Sequence, residues 1–238
     1  MIRAHLATFP PRRHIMLQVI AKIAPQVDRV FVALNEYDEI PEALLKFRNV
    51  EAVIPKNDLK DAGKFAFPVA LDDVVFTIDD DIIYPEDYVE NMLKFGDQIG
   101  LDNNIIGYQA NAWVYKKRQD GFGWRNHLFF KPCKKIYGVD VIGTGTACMA
   151  GKNMPCLEDI QHSKGYIDVG FSLWQRERGN LMWTLPRVEN ELARNLPDEL
   201  QDSTLFNKFA RHPTLDMRCG YERIKALSAA QSGKVWKP

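Results

Sequence analysis

Apolar and polar residues alternate along the first 100 residues in a pattern that predicts β-strands separated by helices. Short runs rich in Val, Ile, Leu and Phe predict buried strands. These runs are residues 2–7, 28–34, 50–54 and 73–78. Apolar residues recur at helical spacing over Arg13–Ile23 and from Pro85 to about Gly96, and shorter helices are predicted after Pro41 and Gly63. This order predicts an α/β fold with a mainly parallel sheet, in which ligands bind beyond the carboxyl ends of the strands.

The pattern becomes less regular beyond residue 100. Three further elements are predicted, which are strands at 105–110 and 141–149 and a helix at 168–178. Residues 111–140 are expected to form a long aromatic loop, and long loops inside compact domains are usually functional or mobile. The tail past Pro186 has no clear pattern. We therefore expect one domain over residues 1–238, with a ligand-binding half at 1–100 and a less regular half at 101–238.

Composition narrows the possible partners. Of 238 residues, 46% are hydrophobic and 26% are charged, which suits a globular protein with a substantial core. Lysine plus arginine and aspartate plus glutamate each number 31, so no excess of positive charge attracts a polyanion. We expect no binding to nucleic acid, and any anion site must be local.

Cysteine usage and hydropathy predict a cytoplasmic protein. The four cysteines form no CxxC pair and are expected to be reduced structural thiols; they are Cys133, Cys148, Cys156 and Cys219. No apolar run approaches the length of a membrane span, and the amino-terminal residues lack the pattern of a signal peptide. Residues 221–238 are expected to form a solvated terminal helix. Its basic residues would allow at most a peripheral association with the inner face of a membrane.

Three consecutive aspartates, Asp79, Asp80 and Asp81, follow the fourth predicted strand. Carboxylates this close repel one another and are costly to bury unless a cation or hydrogen-bond donors compensate them. Mg²⁺ or Mn²⁺ accepts one or two protein carboxylates and completes its coordination with water and phosphate oxygens. Asp79 and Asp81 face the same side of an extended chain. We expect Asp81 to bind the metal directly and Asp79 to contact a ribose or to reach the metal through water.

Other interpretations of the three aspartates are less consistent with the neighbouring residues. An acidic turn exposed to solvent does not explain the buried strand before them or the helix after Pro85. A calcium-binding EF-hand loop needs further oxygen ligands and a glycine, which Ile82-Ile83-Tyr84 does not supply. A phosphatase of the haloacid dehalogenase type would have a hydroxyl residue near position 83, where this chain has Ile83.

Loops near the same predicted sheet edge supply further polar side chains. Lys64 is expected to place a positive charge on a diphosphate, and Asp58 or Asp61 to accept a hydrogen bond from a uracil N–H. The alternative is a solvated loop with a helix N-cap. Arg12, after the first strand, is expected to contact the nucleotide, although Arg13 or a plain surface role is an alternative.

The second half of the chain contributes candidates for the sugar side of a site. The run Gly143-Thr144-Gly145-Thr146 has little side-chain bulk and is suited to lying beneath a sugar ring, or it is a bend in a strand. Asp168 is either a helix N-cap or the carboxylate that faces an anomeric carbon or an incoming hydroxyl. Arg187 can neutralise charge on a departing diphosphate, as can Arg176 or Arg178.

Taken together, these residues resemble the bacterial capsular heparosan α-1,4-N-acetylglucosaminyltransferases. The matching runs keep a similar order and spacing over roughly residues 8–190. They are Pro10-Pro11-Arg12, Leu34-Asn35-Glu36, Glu39-Ile40-Pro41-Glu42, Val53-Ile54-Pro55, Lys60-Asp61-Ala62-Gly63-Lys64-Phe65, Asp79-Asp80-Asp81-Ile82-Ile83-Tyr84-Pro85, Gly143-Thr144-Gly145-Thr146 and Asp168-Val169. From about Asn195 onward the chain shares no motif with this family.

The resemblance implies a GT-A fold, which is a Rossmann-like fold of nucleotide-diphospho-sugar transferases. Residues 1–100 would then bind the nucleotide sugar, and residues 101–238 would form the acceptor side. The implied reaction uses UDP-N-acetylglucosamine as donor and Mn²⁺ or Mg²⁺ as cofactor. It transfers the sugar, with retention, to a terminal glucuronate of a growing heparosan-like capsular polysaccharide, alongside a companion glucuronosyltransferase.

Site residues can be assigned on this basis. By the resemblance Asp81 is the metal ligand and Asp168 the catalytic carboxylate, and we expect Arg187 to assist catalysis. The expected donor-binding residues are Pro10, Arg12, Asn35, Asp58, Asp61, Lys64, Asp79, Asp80, Gly143, Thr144, Gly145 and Thr146.

Three other functions stay open at this stage. The first is a GT-A transferase with another UDP-sugar and another glycan acceptor. The second is a sugar-phosphate nucleotidyltransferase, which usually carries a Gly-rich, basic loop after its first strand, unlike residues 8–12 of this chain. The third is a catalytically silent sugar-binding module, which would bind a glycan without metal.

Overall fold

The computed structural model describes residues 1–205, 213–228 and 232–237. The strands are β1 (Ile2–Thr8), β2 (Arg29–Leu34), β3 (Val50–Val53), β4 (Val74–Ile78), β5 (Ile82–Ile83), β6 (Asn104–Gly107), β7 (Ala110–Lys116), β8 (Gly121–His127), β9 (Tyr137–Val139), β10 (Val141–Ile142), β11 (Thr146–Ala150), β12 (Leu181–Thr184) and β13 (Ala193–Arg194). The α-helices are α1 (Arg13–Ile23), α2 (Tyr88–Ile99), α3 (Leu157–Ile160), α4 (Ile167–Glu177) and α5 (Leu215–Ala226). Short 3₁₀ helices lie at Pro10–Arg12, Ala24–Gln26, Glu42–Lys46, Lys60–Phe65, Lys117–Gln119, Gly151–Asn153, Gln161–Ser163 and Asp198–Ser203.

The main sheet has eight strands in the order β3-β2-β1-β4-β11-β6-β12-β9. Strands β3, β2, β1 and β4 are parallel to one another, and β6 is parallel to β12. Strand β11 runs antiparallel to both β4 and β6, and β9 runs antiparallel to β12. The α/β class is therefore confirmed, whereas the sheet is mixed rather than mainly parallel. Apolar runs locate strands along the chain but do not fix their direction, which is why the sequence missed this.

Both faces of the sheet are covered. Alternate residues of a strand point to opposite faces, so Phe76 belongs to one core and Val75 to the other. The first core packs against α1 and α2 through residues such as Ile20 and Met92. The second packs against the 3₁₀ helix at 60–65 and against α3 and α4. In this core the ring centroids of Phe65 and Phe171 lie 5.8 Å apart. The carboxyl ends of the parallel strands therefore emerge at one edge of a layered body.

The prediction of a long aromatic loop over residues 111–140 is wrong for most of these residues, which form strands. Strands β7 and β8 form an antiparallel hairpin, and β10 pairs with β7 on its other side. Trp113 and Trp124 face each other across the hairpin with ring centroids 5.1 Å apart, a cross-strand aromatic pair of the kind that stabilises hairpins. Asp120 adopts a left-handed conformation (φ 44°) in the turn. Aromatic residues that suggested a loop are therefore strand residues.

The single strand expected at 141–149 is divided in two. Thr146 donates a backbone hydrogen bond to the carbonyl of Gly143 at 3.1 Å, which closes a tight turn between β10 and β11. Strand β10 then belongs to the small sheet and β11 to the main sheet. The bend that was an alternative for these glycines is therefore present.

The carboxyl-terminal tail also differs from expectation. Helix α5 ends at Ala226, whereas a terminal helix was expected over 221–238; residues 229–231 and 238 lie outside the described residues. Beyond the helix, Gly233 donates a backbone hydrogen bond to Gly138 at 2.7 Å, so this segment runs beside β9. Within the described ranges no helix is long and apolar enough to cross a membrane.

Candidate functional site

The order of the parallel strands indicates by topology alone where a ligand would bind. Strand order reverses between β1 and β4, because β2 and β3 extend the sheet on one side and β4 begins the other. In open α/β sheets, ligands bind in the crevice outside the carboxyl ends of the strands at such a switch point. Thr8 ends β1, and Asp79, Asp80 and Asp81 directly follow β4. The predicted acidic cluster therefore lies at the switch point.

Asp80 is the buried member of the cluster. Its carboxylate accepts a hydrogen bond from Thr8 Oγ1 at 2.7 Å and another from the Arg12 guanidinium at 2.6 Å. Charge-assisted hydrogen bonds of this kind compensate a buried carboxylate. Asp80 therefore ties the end of β1 and the start of α1 to the end of β4, and it is held away from any ligand.

Asp79 and Asp81 are the more accessible members. Their side chains are 39% and 22% exposed, against 4% for Asp80. Arg12 reaches Asp81 Oδ2 at 3.1 Å, so one guanidinium serves two aspartates. Burial, together with the neighbouring Asp79 and Asp80 carboxylates, raises the pKa of Asp81 to about 7. Asp81 is thus the aspartate with the least compensated charge.

Lys64 connects the cluster to Asp168. Its ammonium contacts Asp79 Oδ1 and lies 3.3 Å from the carbonyl oxygen and 3.4 Å from the hydroxyl of Thr144. Thr144 in turn donates from its backbone N–H, at 2.8 Å, and from its hydroxyl, at 2.7 Å, to Asp168 Oδ1. Burial disfavours the Lys64 ammonium, but the carboxylates of Asp79, Asp168 and Asp61 together outweigh burial, so the pKa of Lys64 is raised. The side chain therefore keeps its charge in a buried position.

Asp168 does not cap its own helix. It is the second residue of α4, and one of its oxygens holds the Thr144 turn instead. Burial raises the pKa of Asp168 despite the nearby Lys64 ammonium. Its second oxygen, Oδ2, accepts no hydrogen bond from the part of the chain that the structure describes. This leaves one carboxylate oxygen of Asp168 available to a ligand.

The turn at residues 143–146 approaches the cluster so closely that glycine is required. A Cβ added at Gly145 would overlap the carboxylate of Asp79, and one at Gly143 would lie 2.7 Å from Gln109 Cγ. The turn is buried, and its hydroxyls are occupied: Thr146 Oγ1 accepts from the backbone N–H of Gln109 at 2.9 Å. The turn therefore packs directly against the Asp79 carboxylate. That it lies beneath a sugar ring stays a prediction.

Tyr84 is a site residue that the sequence did not single out. Its buried hydroxyl accepts from the backbone N–H of Asp79 at 2.8 Å and donates to the carbonyl of Gly145 at 2.6 Å. It fixes the Asp79 backbone against the turn on β11. The signal was a tyrosine in an otherwise apolar Ile-Ile-Tyr-Pro run, which is insufficient on its own to indicate such a contact.

The loop before β4 is organised by two of the predicted donor-binding residues. Asn35 accepts from the backbone N–H of Leu59 at 2.9 Å and donates to the carbonyl of Lys60 at 3.0 Å. Asp61 accepts from the backbone N–H groups of Gly165, at 2.5 Å, and Ile167, at 3.2 Å, and burial raises its pKa to about 6. Both side chains have structural roles in this arrangement. Asp61 therefore caps the amino-terminal end of α4 and does not cap the short 3₁₀ helix to which it belongs.

Asp58 has a different setting from Asp61. It is half-buried and accepts from the backbone N–H of Lys60 at 2.8 Å. It also lines a cavity of about 500 Å³, together with Lys60, Gln161 and Lys164. This cavity lies beside the loop where the sequence predicted a nucleobase, and Asp58 is the loop carboxylate that faces it.

Pro10 and Arg187 lie at the periphery of this arrangement. Pro10 is exposed at the start of the 3₁₀ helix that leads into α1. Arg187 follows β12, at the same sheet edge as the aspartates, but β11 and β6 lie between β12 and β4. Strands are about 4.8 Å apart, which puts roughly 14 Å between the two strand ends. No contact joins Arg187 to the aspartates among the described residues, so its expected action on the diphosphate stays a prediction.

The residues present fit a divalent cation that is bound jointly with a ligand. The described residues contain no cluster that provides three side-chain ligands for a metal ion. Asp80 is engaged by Thr8 and Arg12, which leaves Asp79 and Asp81 as candidates. Mg²⁺ is commonly held by only one or two carboxylates plus substrate phosphates. Asp81 also has the least compensated charge of the three aspartates, which a cation would offset.

Comparisons with known proteins add little to this picture. No protein-family model matches the chain, and no curated protein gives a significant match. Among solved structures, mannose-6-phosphate isomerase from Helicobacter pylori is similar over 79% of this chain and 89% of its own, at 10% identity and a TM-score of 0.43. The protein A197 from STIV is similar over 83% and 86%, at 14% identity and a TM-score of 0.37. Similarity this low supports no conclusion about fold or function.

Proposed function

We propose that this chain is a metal-dependent glycosyltransferase with a GT-A fold, which transfers N-acetylglucosamine from UDP-N-acetylglucosamine to a glucuronate-containing polysaccharide. The observation that carries the proposal is the position of Asp79 and Asp81, half-exposed at the switch point between β1 and β4. The parallel order β3-β2-β1-β4, with helices on both faces, is compatible with a nucleotide-binding fold. The donor and the acceptor are taken from the family resemblance.

The proposed reaction exchanges one bond for another at the anomeric carbon. The bond to the diphosphate oxygen of the donor breaks, and a bond to the acceptor hydroxyl oxygen forms as that hydroxyl passes its proton to the departing diphosphate. When bound, a divalent cation supplies electrostatic stabilisation for charge on the departing diphosphate. Asp79 and Asp81 would hold this cation, and Arg12 keeps Asp80 neutralised so that the cluster tolerates its own charge.

Lys64 and Asp168 have distinct positions in this scheme. Lys64 fixes Asp79 from the buried side, so it acts through the aspartate instead of reaching the donor directly. Asp168 is held by Thr144 at one oxygen, and its other oxygen accepts no hydrogen bond from the described residues. It is the carboxylate that we place beside the reacting sugar, where it would either form a covalent intermediate or face an acceptor hydroxyl that attacks on the leaving-group side.

The test is a panel of UDP-sugars with Mn²⁺ or Mg²⁺, scored by UDP release and by thermal stabilisation, because a ligand that binds the native state raises the melting temperature. We expect UDP-N-acetylglucosamine to give both signals and EDTA to abolish them. Asp81→Ala should lose both, whereas Asp97→Ala, at an exposed aspartate on α2, should retain them. Full turnover by Asp81→Ala with added Mn²⁺ would overturn the proposal. Pyrophosphate release from UTP and a sugar 1-phosphate would instead identify a nucleotidyltransferase.

A further inference from the structure

A second cavity lies on the same sheet edge as the aspartates, beyond the ends of β6 and β12. Its volume is about 490 Å³, and it is open to solvent. Its lining includes Tyr108, which follows β6, and Arg187, which follows β12. Thr146 Oγ1 accepts from the backbone N–H of Tyr108 at 3.2 Å, so the wall of this cavity is bonded to the turn beneath Asp79. The cavity is therefore separate from the candidate site, and the turn at residues 143–146 connects the two.

The charge of the Arg187 guanidinium in this cavity is only partly compensated. The residue is only 6% exposed, and its acceptors are all neutral oxygens: the carbonyls of Leu185 at 2.9 Å and Leu128 at 2.8 Å, and the Thr184 hydroxyl at 3.3 Å. Its Nε is buried without a hydrogen-bond partner within the described ranges. No carboxylate there forms an ion pair with it. A buried cation in this state is costly, and an anion placed beside it would offset that cost.

The other charged side chains at the cavity set the kind of anion. Lys134 is exposed at the rim and adds a positive charge. Glu191 is half-buried and contributes a negative charge to the cavity. Its Oε2 accepts a hydrogen bond from the backbone N–H of Val188 at 2.9 Å. Two cations and one carboxylate leave about one positive charge, which suits a monoanion such as a carboxylate better than a phosphate dianion. The planar guanidinium is also matched to a planar carboxylate.

Apolar surface in the cavity suits a ring beside that anion. Phe95 and Tyr108 line it, and the Arg187 guanidinium carbon lies 5.8 Å from the centroid of the Tyr108 ring. Asn91, half-buried on α2, supplies an amide that can bond to hydroxyls. A few polar groups on a largely apolar lining are typical of small-ligand sites.

We propose that this cavity binds the carboxylate of a sugar acid, and that Arg187 holds the acceptor side of the site instead of the departing diphosphate. The carboxylate-binding site rests on the cavity alone, whereas its assignment to the acceptor rests on the proposed function. The roughly 14 Å between the ends of β4 and β12 leaves the donor and the acid group on opposite sides of the turn at residues 143–146.

The test compares two small ligands that differ in one group. Methyl β-D-glucuronide has a carboxylate where methyl β-D-glucoside has a hydroxymethyl group, and binding of each is measured by NMR titration of the full chain in EDTA without donor. We expect saturable binding of the glucuronide, at least about tenfold tighter than that of the glucoside, and weakened by NaCl. Equal affinity for the two glycosides would overturn the proposal.

Variants test whether the charges of this cavity are responsible. Glu191→Gln removes the opposing carboxylate but keeps an acceptor for the Val188 N–H, so we expect glucuronide binding to tighten by about threefold. Lys134→Gln should weaken it. Glu189→Gln, at a glutamate that pairs with Lys131 outside the cavity, is the matched control and should change nothing.

Arg187 itself is tested by substitution with lysine. Arg187→Lys keeps the charge and loses the planar fork, and we expect at least tenfold weaker binding. If this variant fails to fold, Glu191→Gln decides: unchanged or weaker binding there refutes the proposal. Glucuronide binding without UDP-sugar turnover would refute only the proposed function, and turnover without glucuronide binding would refute only this inference.

Discussion

Replacing Asp81 by asparagine should stabilise the metal-free protein at alkaline pH while abolishing its response to metal. Asp81 is crowded by Asp79 and Asp80, and the Arg12 guanidinium that faces it is shared with Asp80. Asparagine has nearly the same shape and no charge. The substitution therefore removes repulsion within the cluster, at the cost of one contact with Arg12.

The magnitude follows from the raised pKa. A shift of the Asp81 pKa from its ordinary value of 3.8 to about 7 corresponds to roughly 4 kcal/mol as an upper bound. Partial exposure of the side chain, at 22%, and the lost Arg12 contact reduce the expected gain to about 1–2 kcal/mol. Because the folded protein holds this proton more tightly than the unfolded chain, the contribution of Asp81 to stability falls as pH rises from about 4 to about 7. The gain should therefore be small near pH 4 and full at pH 8.

Urea denaturation in EDTA at pH 5 and pH 8 measures this effect. Asp97→Asn is the matched control, because Asp97 is exposed on α2 and should shift the unfolding free energy little at either pH. In a second series, Mn²⁺ with UDP should stabilise the wild type but not Asp81→Asn. The reasoning is refuted if Asp81→Asn is less stable than the wild type at pH 8 in EDTA.

Three further substitutions test the supports around the site. Gly145→Ala should push the Asp79 carboxylate aside and lower transfer by about tenfold to a hundredfold with unchanged circular dichroism, as measured by UDP release; wild-type activity would contradict the close approach. Asp61→Asn can accept only one of two backbone N–H groups and should lose about 1–3 kcal/mol in urea denaturation. Because the pKa of Asp61 is raised to about 6, the wild type is stabilised by the protonated carboxyl at low pH. The stability lost in Asp61→Asn should therefore be larger at pH 4.5 than at pH 7. Asp140→Asn leaves Arg176 buried without its carboxylate and should lose about 3–5 kcal/mol in the same assay, and a loss below 1 kcal/mol would argue against a buried ion pair.

Local patterns predicted the first half of the fold closely. Helix α1 spans Arg13–Ile23 as expected, and the first four strands begin and end within about one residue of the predicted runs. Buried parallel strands read as continuous apolar runs, so the signal is strong there. The hairpin of β7 and β8 was missed because β8 is partly exposed and mixes aromatic residues with polar and charged ones, as in Trp124-Arg125-Asn126, and so resembles a loop.

The candidate site was predictable in its parts but not in its assembly. The sequence identified Asp79–Asp81, Lys64, Thr144 and Asp168, and the structure joins Asp79, Lys64, Thr144 and Asp168 in one chain of contacts. The sequence could not show which of these side chains would be engaged in hydrogen bonds within the protein and so be unavailable to a ligand. Asp61 was a candidate for the donor and instead caps α4, more than 100 residues along the chain, a pairing that no local pattern encodes.

The three aspartates can lie together because each has a hydrogen-bond or ion-pair partner from another element. Asp80 is neutralised by Thr8 and Arg12, and Asp79 by Lys64. Asp81 shares what remains of Arg12, so the excess charge of the cluster is concentrated on it. A cation that binds there gains the most from Asp81 and disturbs Asp80 least. If Asp81 binds a cation as proposed, stability and cation binding are opposed at this residue, because the charge that destabilises the metal-free fold is the charge that attracts the ion.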